Sequence, residues 1–183
     1  MPANIALSLS ESDLYQALGD VLQGLFTDVK IVRSQQNAVS MPVGDFITMT
    51  SLHSTGLSTG VVTYTAPVAA GPGTQQITRT TQWRCQLDFY GQTAARHALT
   101  FATLIRSELG TDVFRRAGNV ICPLYCSEPH QTTMINGEQQ YEPRWTLDIV
   151  AQIHPVVSAP LAFFDSVTLK TTITESLDGH SNQ

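Results

Sequence analysis

From Ile77 to Phe89 the chain alternates strictly: Ile77, Trp83, Cys85, Leu87 and Phe89 share one parity, while Thr78, Thr80, Gln82, Arg84, Gln86 and Asp88 hold the other. A period of two with one apolar side is the pattern of a strand that buries a single face. After Gly91 the period lengthens. Ala94, Ala98, Phe101, Ala102, Ile105 and Leu109 recur at three- and four-residue steps, with Thr93 placed to cap a helix and Gly110 placed just past its end. The stretch therefore predicts a long strand that turns into an amphipathic helix and folds back under it. A second alternation mirrors the first: Tyr141, Trp145, Leu147, Ile149, Ala151 and Ile153 against Glu142, Arg144, Thr146, Asp148 and Gln152. Two such strands need a sheet with one covered face, which excludes a parallel doubly wound fold, whose strands read as short continuous apolar runs.

The remaining segments fit around that sheet. Ser10 or Ser12 can cap a first helix running to about Phe26, because Leu14, Ala17, Leu18, Val21, Leu22, Leu25 and Phe26 fall on one side. Strands are expected over 29–33, 46–53, 61–66, 120–126 and 163–173, a short helical turn over 111–118, and a loose polar tail over 174–183. Residues 66–76, with Gly71, Pro72 and Gly73, and residues 127–140, with Pro129, His130 and Asn136-Gly137, read as long projecting loops. The expected architecture is α+β: one domain over residues 1–183, a mostly antiparallel, mixed sheet, and two main helices packed on one face.

Composition narrows the function classes. The 183 residues are 42% hydrophobic, enough for one substantial core, yet only 14% are charged and the net charge is -5. The usual charged share is roughly one quarter, so the surface is rich in Thr, Ser and Gln and is cheap to cover with another protein. Phosphate binding needs clustered Lys and Arg, and only Arg115-Arg116 are adjacent. The beginning of the chain has no signal-peptide pattern and no stretch approaches a membrane span, so a soluble protein made in a cytoplasm, with no membrane partner, is expected. Cys85, Cys122 and Cys126 are an odd number of thiols, read as reduced.

No catalytic, cofactor-binding or metal-binding set emerges. Cys122, Cys126 and His130, with Glu128 among them, lack the second ligand pair of a tetrahedral zinc site. A Cys126–His130 nucleophile pair, the basis of a small hydrolase, has no accompanying feature of acyl transfer. Glu142 and Asp148 share a strand face but stand about 20 Å apart at the strand rise, too far to act on one bond. Gly71-Pro72-Gly73 precedes no phosphate-cradle motif. What remains is a concentration of aromatic and amide residues near loops, the composition favoured at protein interfaces. Gly71, Pro72, Gly73, Pro129, His130, Asn136, Gln139, Gln140, Tyr141 and Arg144 are accordingly the candidate contacts to other subunits or partners.

Four pieces carry a resemblance. They are Asn-Ala-Val-Ser-Met-Pro-Val-Gly-Asp-Phe-Ile-Thr-Met-Thr from Asn37 to Thr50, Gln-Leu-Asp-Phe-Tyr-Gly from Gln86 to Gly91 with the helix after it, Pro-Leu-Tyr-Cys-Ser-Glu-Pro from Pro123 to Pro129, and Asn-Gly-Glu-Gln-Gln-Tyr-Glu-Pro-Arg-Trp from Asn136 to Trp145. In this order, with the Gln-Tyr-x-x-Arg-Trp piece, the chain resembles the neck or tail terminator proteins of tailed phages and prophages. Cys126 departs from the small residue expected at its position. The resemblance implies a ring, six subunits in the usual case, seated in the virion at the head-proximal end of the tail tube. There it ends tube growth and meets the tail tube protein, the head completion or connector protein and, in a contractile tail, the sheath. DNA passes through the lumen without specific binding, and an acidic, low-charge ring suits that passage. A tail tube or baseplate-type subunit is the alternative of similar composition.

Overall fold

The computed structural model describes residues 4–36, 41–68, 71–135, 140–162 and 168–170. Its strands form two sheets. The larger contains β2 (Lys30–Arg33), β3 (Phe46–Gly56), β6 (Thr81–Tyr90), β9 (Tyr141–Ile153) and β7 (Cys122–Cys126) in that order, with β8 (His130–Ile135) pairing the first half of β9. The smaller runs β1 (Ala6–Leu7), β10 (Val156–Leu161), β5 (Gly73–Thr78), β4 (Val61–Thr65). Every pairing is antiparallel except β2 with β3, which makes the larger sheet mixed.

Three helices close one face of the larger sheet. Helix α1 (Glu11–Leu25) starts at a capping box: the Asp13 amide donates to Ser10 Oγ at 3.3 Å and the Ser10 amide donates to Asp13 Oδ2 at 2.7 Å. Its buried side, Leu14, Ala17, Leu18, Val21 and Leu22, joins Ile47, Met49, Trp83, Cys85, Leu87, Phe89, Leu147 and Ile149 in one core. Helix α2 (Ala94–Ile105) adds Ala94, Ala98, Phe101, Ala102 and Ile105 to the same core. Each fully buried side chain of the size of Leu87 or Phe101 contributes about 1.5–3 kcal/mol. The α+β class, the mixed, mostly antiparallel sheet and the one-sided helix layer thus agree with the pattern in the sequence.

Several local expectations are corrected. The alternation from Ile77 to Phe89 is two strands, not one: β5 ends at Thr78 in the smaller sheet and β6 begins at Thr81 in the larger. Ile77 shares parity with Trp83 but is exposed, because the break at Arg79–Thr80 sends it to a different surface. The expected helix to Leu109 is also two. Helix α2 stops at Ile105, and α3 (Glu108–Arg116) starts from Ser107, whose Oγ accepts from the Gly110 amide at 3.2 Å. Gly110 is not a stop signal; it lies inside α3, where a Cβ would stand 2.3 Å from the Leu104 carbonyl oxygen. Thr93 makes no side-chain cap bond to α2 and gives its hydroxyl to Asp45 Oδ2. Asp45 also accepts the Gln92 amide at 3.0 Å, and it packs so closely on Gly91 (φ +92) that no Cβ fits there.

The two segments read as loops are partly strand. Gly73 to Gln76 belong to β5, and His130 to Ile135 form β8, which pairs with Tyr141 to Thr146 as a hairpin. The strand expected over 163–173 and the tail after it lie outside the described residues except for Thr168, Leu169 and Lys170, which carry no strand pairing.

Candidate docking surfaces

The helices cover only one face of the larger sheet. On the opposite face the register lines up His130, Thr146, Asp88, Thr48 and Val32 in one row and Thr132, Arg144, Tyr90, Phe46 and Lys30 in the next. Asp88 is only 3% exposed on this helix-free side because its neighbours close over it. It accepts from Thr146 Oγ1 at 2.6 Å, Arg144 Nε at 3.2 Å and Gln86 Nε2 at 3.0 Å, and the Arg144 Nη2 ion pair is 3.0 Å. Thr146 also exchanges a 3.0 Å hydrogen bond with Thr132 of β8, so the network ties β8, β9 and β6 together. Phe46 stacks on Tyr90 at 4.3 Å, and the Arg144 guanidinium lies 5.7 Å from the Tyr90 ring. Burial, then the charge of Asp88, pushes the Tyr90 phenol upward. Farther along β6 the face loosens: Arg84 and Asp148 stand 4.0 Å apart.

The named contact candidates fall into two groups. Pro129, His130, Gln140, Tyr141 and Arg144 meet on the β8–β9 hairpin and its approach. Within it Tyr141 pairs with Ile135 and is 77% exposed, His130 is exposed opposite Thr146, and Arg144 is half-buried in the Asp88 network. The hairpin borders a depression of about 420 Å³ lined by Thr132, Met134, Tyr141 and Pro143 among others. Gly71 and Pro72 are exposed just before β5, and Gly73 is buried opposite Leu161. They belong to the smaller sheet, which joins β9 at its far end through His154-Pro155. At the strand rise the two ends of β9 are about 40 Å apart. Asn136 and Gln139 lie outside the described residues.

The smaller sheet holds a surface that the sequence reading did not single out. None of the residues of β1, β4, β5 and β10 is charged. Pairing aligns Leu7, Val157, Ile77 and Val62 in one row across all four strands, and Leu7, Ile77 and Val62 are exposed. Every residue of β4 is exposed. Leu7 also lines an apolar cleft of about 270 Å³ between the sheets, with Leu9, Leu14, Trp83, Ile153 and Pro155. The signal was present in the sequence as Val61-Val62-Thr63-Tyr64-Thr65, a strand without a charged residue.

The sulfur chemistry does not assemble. A register shift between Pro123 and Tyr125 puts Cys122 opposite Gln152, exposed, and Cys126 opposite Ile149, buried in the core. Cys126 Sγ lies 3.8 Å from the Ala102 carbonyl and burial raises its thiol, while His130 lies on the helix-free side. Cys85 is pushed up to about 12 by burial. Among the described residues no group of three His, Cys, Asp or Glu converges as a metal site, and no helix is long and apolar enough to cross a membrane.

Comparison with characterised proteins gives no sequence match. A family profile described as phage neck terminator protein matches residues 12–176, from the first turn of α1 to beyond β10. The match takes in the three helices from Ser12 onward, the larger sheet and the smaller sheet apart from β1, and the chain belongs to the phage neck terminator protein family.

Proposed function

We propose that the protein is a structural subunit of the virion neck that closes the head-proximal end of the tail tube as a ring, six-membered in the usual case. The observation that supports this reading beyond family membership is the separation of two different exposed surfaces along one rigid strand. The hairpin at Tyr141 and the uncharged sheet beyond Ile153 stand about 40 Å apart at the strand rise. One subunit of a ring that stops growth must meet like neighbours and unlike partners at once, and unlike partners need unlike surfaces. The partners in this reading are the tail tube protein, the head completion or connector protein and, in a contractile tail, the sheath, with DNA passing through the lumen without specific contact. Gly71, Pro72, Gly73, Pro129, His130, Gln140, Tyr141 and Arg144 remain contact candidates.

Catalysis has no part in this reading. Cys126→Ala, which removes the buried thiol, leaves assembly intact. Loss of function in that variant with the fold preserved establishes a Cys-dependent enzyme instead. The discriminating measurement is native mass with electron-microscopy class averages of the purified protein. A single closed ring is expected; indefinite stacks identify a tube or baseplate-type subunit, and a monomer at every concentration removes the ring.

A further inference from the structure

Among the described residues, nothing covers the free edge of β4. Natural sheets blunt such edges with charge, proline, a bulge or a covering element. Here Val61–Thr65 has no charge and no proline, runs in unbroken register against Thr78–Thr74, and is exposed at all five positions. Its neighbouring row of Leu7, Val157, Ile77 and Val62 leads into the apolar cleft beside Trp83. The same chain carries a segment with the complementary need. After β10 ends at Leu161 the sequence places Val167, Leu169 and Ile173 on one parity and Thr168, Lys170 and Thr172 on the other. Leu169 is 86% exposed and its described neighbours Thr168 and Lys170 are in no strand.

We infer that the carboxy-terminal segment around Thr168–Ile173 of one subunit adds as a strand to the β4 edge of a second copy of this chain. The strand-patterned segment, whose described residues Thr168–Lys170 are in no strand, and the uncharged β4 edge sit at different places on the chain and do not meet at those residues. Main-chain hydrogen bonds supply affinity in such an addition, and alternate side chains supply fit. A strand laid on β4 extends the apolar row with the Leu169 side of the segment. Few full charges need be stripped of water to cover it. Because donor and acceptor differ, the contact is heterologous and propagates from subunit to subunit, closing if the rotation allows. The inference rests on the ring proposed above and names the contact that joins its subunits.

Two full-length variants test it, Val62→Lys on the acceptor and Leu169→Asp on the donor. Both positions are exposed, 41% and 86%, so thermal melting should match the unmodified chain. Each variant alone is expected to be monomeric by native mass, with the ring population down at least tenfold. Mixed one to one, they are expected to form a dimer and stop, since only the Val62→Lys donor and the Leu169→Asp acceptor are intact. A mixture that stays monomeric, or rings from either variant alone, overturns the inference while the ring of the unmodified chain stands. If the unmodified chain itself never forms a ring, the proposed function fails and the inference with it.

Discussion

The β6–β9 pair is finished in two different ways at its two ends. Near the β8 hairpin the helix-free face is sealed: Asp88 is buried by Thr146, Arg144 and Gln86, and Phe46 stacks on Tyr90. Beyond Trp83 and Ile153 the chain crosses into a sheet whose apolar row is left open and whose edge carries no charge. The first end satisfies its polar groups within the subunit; the second leaves apolar surface for which the subunit alone has no use. Large exposed apolar patches mark contacts, so in the proposed ring the difference separates the part of the subunit that is self-sufficient from the part that assembly would complete.

The comparison can be broken by mutation. Asp88→Ala leaves the Arg144 charge half-buried without its partner and is expected to lower stability by about 3 kcal/mol, read by urea denaturation. Replacing the pair together, Asp88→Leu with Arg144→Met, recovers most of that loss; if it does not, the ion pair is not what seals the face. Gly91→Ala places a Cβ in a left-handed backbone against Asp45 and is expected to cost about 2 kcal/mol, read in the same way.

Tyr141→Ala at the hairpin tip changes stability by less than about 0.5 kcal/mol, as expected for an exposed position. Its effect is expected in docking, measured as tail completion in vitro; unimpaired completion removes the hairpin from the contact surface. The smallest effect concerns His97, whose pKa is lowered by burial and then by Arg96. The unfolded chain binds this proton more readily, so the contribution is present above pH about 6.5 and is lost as pH falls from there toward the lowered folded value. Below both values it is constant. A stability profile unchanged by His97→Gln contradicts that assignment.

Legibility followed periodicity. Tyr141–Ile153 was readable because Leu147, Ile149, Ala151 and Ile153 are buried on one parity while Glu142, Arg144, Thr146, Asp148 and Gln152 keep the other polar, and α1 was readable from its Ser10 cap and apolar side. The strand break at Arg79–Thr80 was not, because Ile77 keeps the parity of Trp83 across it and alternation carries no information about which sheet a residue joins. β8 was missed for a related reason. No residue from His130 to Ile135 is buried, so the segment shows no apolar core face, and its pairing with β9 leaves no period to read. The contact candidates suffered likewise: loop composition suggested that Gly71 and Tyr141 bind something, but only the topology assigns them to different sheets. Gly110 resembled a helix stop because close approach and left-handed backbone both select glycine, and the residue alone does not say which.

Three passages between the sheets, β3 into β4 at 57–60, β5 into β6 at Arg79-Thr80 and β9 into β10 at His154-Pro155, leave the larger sheet at neighbouring strand ends. The Arg79 amide donates to the Pro155 carbonyl at 3.4 Å and its guanidinium Nε to the Ser58 carbonyl at 3.0 Å, binding the three passages together. A force on the smaller sheet is therefore passed to neighbouring ends of β3, β6 and β9 together, strands already held to one another by the ladders of the larger sheet. For a subunit joined through its smaller sheet, as proposed, that geometry shares a load among three strands and does not leave it to any single contact.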